Sequence, residues 1–302
     1  MAFLSTVIAR SIPFIPKPVV GYFAKPYIAG ESLADGVRVV KDLNARGIMA
    51  TMDVLGESVS SREESLDMRR QCEEVLHTIH REKLDSNLSI KPTQMGLTLD
   101  TDFCEENVRV LCEIAKGYGN FVRIDMEDHP TTDATLRMYR NLRRDFRGHV
   151  GTVIQSYMRR SESDITTLLD EDVTNLRLCK GIYVEPESVA FKGREEVREN
   201  YKALLRLILR RGGYPGIATH DDPLLQDALA LVKELGLPAS AYEFQMLLGV
   251  RPQTRDAIVA AGHRMRVYVP FGKQWYAYST RRLKENPNVA MHIVKAILGL
   301  NK

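Results

Sequence analysis

The chain has 302 residues, 44% of them apolar and 27% charged, the proportions of a soluble globular protein, which excludes a disordered or low-complexity chain. This length fits two ordinary domains or one large α/β barrel, and either buries a sizeable core. The formal charge of +3 is too small to point to nucleic acid, and none is expected as a partner.

The excess charge sits at one end. Residues 1–30 contain Arg10, Lys17 and Lys25 and no acid, and the remainder carries 39 basic and 39 acidic residues. Within this arm Leu4, Val7, Ile8, Ser11 and Ile12 form a mostly apolar stripe at helical spacing, which Pro13 stops. The spacing predicts a helical arm over 1–46 that suits packing in a homo-oligomer or contact with an anionic bilayer. Its last helix starts near Ser32, where Ser32-x-x-Asp35 reads as a capping box, and Gly47 ends it. Cys72, Cys104, Cys112 and Cys179 form no CxxC pair and no zinc spacing, so they read as free thiols of a reducing, cytoplasmic compartment. No apolar run reaches the ~18 residues of a spanning helix.

From Gly47 the pattern becomes regular. Strand-like runs recur at 48–54, 88–93, 121–127, 150–155, 176–181, 216–220, 242–246 and 266–270, a repeat of about 31 residues that matches a βα unit. Helical patterns with start signals lie between them. Ser60-x-x-Glu63 and Ser161-x-x-Asp164 read as capping boxes, and Asp128-His-Pro130 and Asp222-Pro223 put an acid and a proline at first turns. Gly117-Tyr118-Gly119 precedes a strand and reads as a helix stop. These units predict a (β/α)8 barrel over 47–302 with a further C-terminal helix at 287–300; a doubly wound open sheet is the alternative.

Buried parallel strands are nearly all apolar, and these start so, then carry polar residues at their C-terminal ends. The set includes Glu57, Lys91, Asp125, Glu127, Gln155, Arg177, Lys180, Thr219, His220, Glu243, Gln245 and Tyr268, which a barrel would gather at one mouth. Arg123, Asp125 and Glu127 alternate along one strand; Arg123 fits an internal salt-bridge layer, and Asp125, nearer the mouth, is the better functional candidate. Beyond the last strand, Tyr278, Arg281, Arg282 and Glu285 share a helical face beside Trp275, either a solvated face or a bidentate clamp for an anion, with Lys91 as a third charge. No GxGxxG follows a strand, and no P-loop, HExxH or GxSxG is present. His77 and His80 read as surface residues, Cys179 as packing, and no metal is expected. The residues alone describe a barrel with a cationic, aromatic-rimmed mouth for a small anion. A Schiff-base lyase using Lys91 or Lys180 and a non-catalytic ligand-binding barrel both remain open at this level.

An ordered set of strand-end motifs resembles the proline dehydrogenase family, in its short monofunctional bacterial form. The pieces are Ile90-Lys91-Pro92-Thr93, Val122 to Asp128 (VRIDMED), Gln155-Ser156-Tyr157, Arg177 to Glu185 (RLCKGIYVE), Ala218-Thr219-His220-Asp221, Glu243 to Gly249 (EFQMLLG), and Tyr268-Val-Pro-Phe-Gly272 leading to Tyr278-x-x-Arg281-Arg282-x-x-Glu285. The resemblance implies a distorted (β/α)8 barrel that binds FAD without a Rossmann motif and oxidises L-proline to Δ1-pyrroline-5-carboxylate, the first step from proline towards glutamate. It further implies that Lys91, Arg281 and Arg282 hold the proline carboxylate, with Glu285 pairing the clamp. Tyr183, Leu247 and Tyr268 would shape the ring pocket. Asp125 would orient the Arg pair or Lys91, and Arg177 would sit beside flavin N5. Met126, Gln155, Lys180, Gly181, Ile182, Thr219 and His220 would line the FAD. Ile182 stands where the family usually has alanine and Asp221 where asparagine is common. Electrons would pass to a membrane quinone, implying contact with the inner face of the membrane, and the product would go to a separate pyrroline-5-carboxylate dehydrogenase.

Overall fold

The computed structural model describes residues 20–21, 24–56, 59–172, 175–276 and 278–279. Its strands are β1 (Met49–Val54), β2 (Ser86–Ile90), β3 (Val122–Ile124), β4 (Val150–Gln155), β5 (Asn175–Cys179), β6 (Tyr214–Ala218), β7 (Glu243–Leu247) and β8 (Met265–Phe271). All pair in parallel in sequence order, and β8 returns to β1, with Met49 opposite Arg266, so the barrel closes. The helices are α1 (Leu33–Asn44), α2 (Arg62–Arg81), α3 (Thr101–Gly117), α4 (His129–Asp145), α5 (Ser161–Asp170), α6 (Arg194–Arg210), α7 (Asp222–Glu234) and α8 (Pro252–Ala260). The expected (β/α)8 fold is present.

Side chains alternate on a strand, and here the alternation separates two chemistries. Met52, Leu88, Ile90, Val122, Ile124, Leu176, Leu178, Ile217, Phe244, Met246, Val267 and Val269 are buried and join the apolar cluster that the helices complete. Their neighbours meet inside the barrel through hydrogen bonds. At one end Arg266 pairs with Glu243 at 2.7 Å; in the middle Arg177 Nε donates to Gln245 at 2.6 Å. Polarity thus runs down the whole inner face and is not confined to the strand ends, as the sequence pattern had implied. A charge inside a barrel persists only where partners meet it, and these have them.

Start signals were met to within one residue. Ser32 and Asp35 form the expected capping box on α1, and Asp128 and Asp221 stand before helices with an early proline. On α2 the cap is Ser61, whose Oγ accepts from the Glu64 amide, one position beyond the expected Ser60–Glu63 pair. On α5 the expected box is absent, because Ser161 Oγ donates instead to the Gln155 carbonyl at 2.6 Å and Asp164 pairs with Arg160. Gly117 does end α3, with Gly119 at φ +64°.

Helix α1 precedes the barrel in sequence yet packs over β8 and β1, where Gly36 lies against Met52 and Phe271. The helix that follows β8 in an ordinary barrel would cover that wall. Here the chain after β8 goes to the mouth, where Gln274 and Tyr278 line a cavity. The segment ahead of α1 runs alongside: Ala29 N donates to Pro270 O at 2.9 Å, Gly272 N donates to Gly30 O at 3.0 Å, and Tyr27 reaches the cavity wall. Among the described residues no helix is long and apolar enough to cross a membrane. The four cysteines are free; Cys179, expected to serve packing, lies against the core but also lines the cavity, and burial pushes its thiol up to about 11.

Candidate active site

The C-terminal ends of the strands enclose a cavity of about 900 Å3. Lys91, Asp125, Met126, Gln155, Arg177, Lys180, Gly181, Ile182, Tyr183, Thr219, His220, Leu247 and Tyr268 all line it. Arg281, Arg282, Glu285 and Glu57 lie outside the described residues, as do residues 1–19 of the arm and the expected last helix.

Two charged clusters organise the deep wall. In the first, Lys91 Nζ donates to both oxygens of Asp53 at 3.0 Å. The Asp53 side chain is 1% exposed and that of Lys91 18%. Burial opposes the lysine's charge, but Asp53 and Asp125 outweigh it and raise its pKa, so Lys91 stays a cation. In the second, Asp125 Oδ1 accepts from Arg177 Nη1 at 2.7 Å and Ser89 Oγ at 2.8 Å, while Tyr268 donates its hydroxyl to Oδ2 at 3.1 Å. Burial, then the nearby Asp125 and Asp53 carboxylates, holds the Tyr268 hydroxyl protonated far above its ordinary value. The Arg177 guanidinium stands 5.5 Å from the centre of the Tyr268 ring.

Asp125 therefore holds Arg177, and Lys91 donates its hydrogen bonds to Asp53 instead. Asp53 escaped the sequence reading because it sits inside a strand taken as apolar. The signal was available: a lone acid in a buried strand requires a cation, and Lys91 ends the adjoining strand. Glu127 stands beside this cluster but does not line the cavity. Its carboxylate accepts from the Thr93 amide at 2.8 Å and hydroxyl at 2.7 Å, pinning the turn after β2. Arg123 likewise stays inside the wall, donating to the Thr152 carbonyl at 2.8 Å, and burial lowers its pKa to about 9. His77 and His80 meet at Tyr118, the former by a 2.9 Å hydrogen bond and the latter by stacking.

The shallow wall is a third cluster. Asp221, with a side chain 3% exposed, accepts from Lys180 Nζ at 3.1 Å and from Arg198 Nη2 at 2.8 Å. Burial alone would raise its pKa, but these hydrogen bonds and charges lower it. The negative charge expected at Asp221 is thus surrounded by cations. Arg198 was not legible as a wall residue, since Arg194-x-x-x-Arg198 on α6 looks like an ordinary solvated face. Gly181 turns the chain here at φ +101°, and a Cβ would strike the Tyr157 ring, so glycine is required twice over. Ile182 is 41% exposed at the rim.

The sequence model of the family described as proline dehydrogenase matches residues 37–293. The chain belongs to the proline dehydrogenase family. It is 39% identical over 275 residues to proline dehydrogenase 1 of Bacillus subtilis (strain 168), covering 91% of this chain and 90% of that one. It is 37% identical over 279 residues to proline dehydrogenase of Deinococcus radiodurans, with the same shares. Among solved structures it is similar to proline utilization A (PutA) from Bdellovibrio bacteriovorus inactivated by N-propargylglycine, at 27% identity and a TM-score of 0.83. That match covers 88% of this chain and 32% of the other, so the chain spans about a third of the PutA chain. The chain is an enzyme of proline oxidation, from a family of flavoenzymes.

Proposed function

We propose that this protein uses FAD to oxidise L-proline to Δ1-pyrroline-5-carboxylate and delivers the electrons to a membrane quinone. The observation that carries the reading is the convergence of a fixed cation, a fixed guanidinium and an open buried acceptor on one cavity. The open acceptor is Gln155 Oε1, which is buried and without a partner among the described residues while Nε2 donates to the Met126 carbonyl at 3.2 Å. An unpaired buried carbonyl is costly, and a ring N–H of a bound flavin would satisfy it. Lys180, Arg194 and Arg198 offer positive charge for a dinucleotide's diphosphate on the opposite wall. These residues fit FAD, which Met126, Gly181, Ile182, Thr219 and His220 would also contact.

When bound, the flavin supplies the hydride acceptor. The chain's own residues do the rest. Lys91, held cationic, binds the proline carboxylate, together with Arg281 and Arg282, which Glu285 pairs. Tyr183, Leu247 and Tyr268 wall the pyrrolidine ring, so that its reacting carbon is held in near-attack geometry. Asp125 orients Arg177, and the guanidinium offers fixed positive charge where electron density arrives. Tyr268 keeps its proton and acts as donor to Asp125, not as a base.

The lyase alternative needs a neutral lysine, and the Asp53 partnership denies one at Lys91. We keep residues 1–46 as an N-terminal arm whose last helix, α1, is docked on the barrel wall and whose basic stretch ahead of it suits subunit packing or peripheral membrane contact, and pyrroline-5-carboxylate dehydrogenase as the enzyme that takes the product. The test is anaerobic: the purified protein should be yellow, and L-proline should bleach its flavin absorbance. A colourless protein trapped covalently by borohydride with a keto substrate would overturn the proposal.

A further inference from the structure

Arg177 is secured from below by groups that no step of the reaction uses. Its Nε donates to Gln245 Oε1 at 2.6 Å, and Gln245 Nε2 donates to Glu243 Oε1 at 2.6 Å. Glu243 in turn accepts from Arg266 Nε at 2.7 Å and from Tyr214 at 3.0 Å, at the far end of the barrel. The amide orientation is forced by chemistry. A carboxylate only accepts and a guanidinium only donates, so the Gln245 nitrogen must face Glu243 and its oxygen Arg177. Gly216 on the neighbouring strand makes room, since a Cβ there would press on the Gln245 amide. With Nε held by Gln245 and Nη1 by Asp125 and Ser89, Nη2 is the one guanidinium nitrogen of Arg177 without a hydrogen-bond partner among the described residues.

We infer that Gln245 and Glu243 are positioning residues, a buried strut running from Arg266 through Glu243 and Gln245 that fixes the Arg177 guanidinium with Nη2 turned to the cavity. The inference rests on the reading of Arg177 as the residue beside the flavin. A donor that is held in place before the reaction stabilises developing charge without reorganising, whereas a guanidinium free to turn must be reordered each turnover. The supporting shell then sets the rate as surely as the contacting group.

The experiment uses the flavin-loaded enzyme and two variants. Gln245→Met conserves volume and removes both hydrogen bonds; Gln245→Glu keeps an acceptor for Arg177 Nε but adds a buried charge beside Glu243. The strut predicts that Gln245→Met lowers kcat about tenfold or more, leaves KM for proline within about twofold, and moves the flavin midpoint potential to more negative values. It predicts that Gln245→Glu lies between wild type and Gln245→Met in kcat. A role in packing alone predicts the reverse order, because a neutral isostere is tolerated and a buried charge is not. Gln245→Met with wild-type kcat and potential overturns the inference, and so does Gln245→Glu falling below Gln245→Met. Should Gln245→Met fail to fold, Gln245→Glu decides alone: kcat within about tenfold of wild type supports the strut and a deeper loss overturns it. A wild-type protein whose flavin proline does not reduce sinks the functional reading and the strut together; a wild type that proline reduces, with an indifferent Gln245→Met, sinks only the strut.

Discussion

Two lysines end neighbouring regions of the same cavity, and each meets a buried carboxylate, yet their environments differ. Lys91 has Asp53 as its hydrogen-bond partner, both deep in the wall. Lys180 is 41% exposed and shares Asp221 with Arg198, while Arg194 lies 4.0 Å from the same carboxylate. An exclusive partner fixes one positive charge at one point, which suits a small carboxylate that must be held in a single pose. A shared partner leaves a surplus of positive charge spread over a wall, which suits a larger anion with several oxygens. Position on a strand is equivalent; the number of competing cations decides the difference.

The largest expected effect breaks the exclusive pair. Asp53→Ala takes away the one carboxylate hydrogen-bonded to the Lys91 ammonium and leaves it only the Asp125 and Glu127 charges nearby, and urea unfolding should register a loss of about 3–5 kcal/mol. The pair at the barrel's far end sharpens the same rule. Glu243 has its carboxyl held down at about 2 against an ordinary 4.5, because Arg266 and its hydrogen bonds outweigh the effect of burial. Its stabilisation is therefore present above pH 4.5 and is lost as pH falls towards 2. Glu243→Gln should be less stable than wild type by about 3 kcal/mol at neutral pH, a gap that closes on acidification.

Lys91→Met should lower kcat/KM for proline about 100-fold, the loss of a charge-assisted contact to the substrate carboxylate. Its cost in stability should be smaller than that of Asp53→Ala, because burial already favours the protonated form of Asp53 and a neutral carboxyl can remain inside. Equal losses in the two variants would show that the pair is not exclusive in the sense argued. The smallest effect belongs to the shared partner. Asp221→Asn should cost about 1–2 kcal/mol, since Lys180 remains partly solvated. That difference should be present above pH 3.8 and fade below it, as expected for a carboxyl whose pKa is lowered in the folded state.

Much of this was legible along the chain. The recurring strands and the positions of their polar ends were read from periodicity, and the expected polar strand-end residues among the described positions line one cavity, except Glu127 and Glu243, whose partners hold them away from it. What escaped has identifiable causes. The doublets Ser60-Ser61 and Glu63-Glu64 offer two cap registers that differ by one residue, and in the structure Glu64 takes the partner role, its amide donating to Ser61 Oγ and its carboxylate accepting from the Ser60 amide. Ser161 fits a capping box by spacing, but the Gln155 carbonyl at the end of β4 is a competing partner that no local pattern announces. Arg198 needed the close approach of α6 to the loop after β6 before it could be seen to share Asp221.

The sequence by itself determined a parallel α/β fold and favoured the barrel over a doubly wound sheet, because eight short apolar strands and capped helices repeating at βα length have few other ways to bury their apolar faces. It also determined which residue types arrive at the mouth. Only the tertiary structure decided the pairings: Lys91 with Asp53, Arg177 with Asp125 and Gln245, Lys180 with Asp221. Partners inside a closed barrel lie on strands far apart in sequence, such as β5 and β7, and which donor meets which acceptor depends on strand stagger and cross-barrel distance. Those quantities exist only once the sheet has closed.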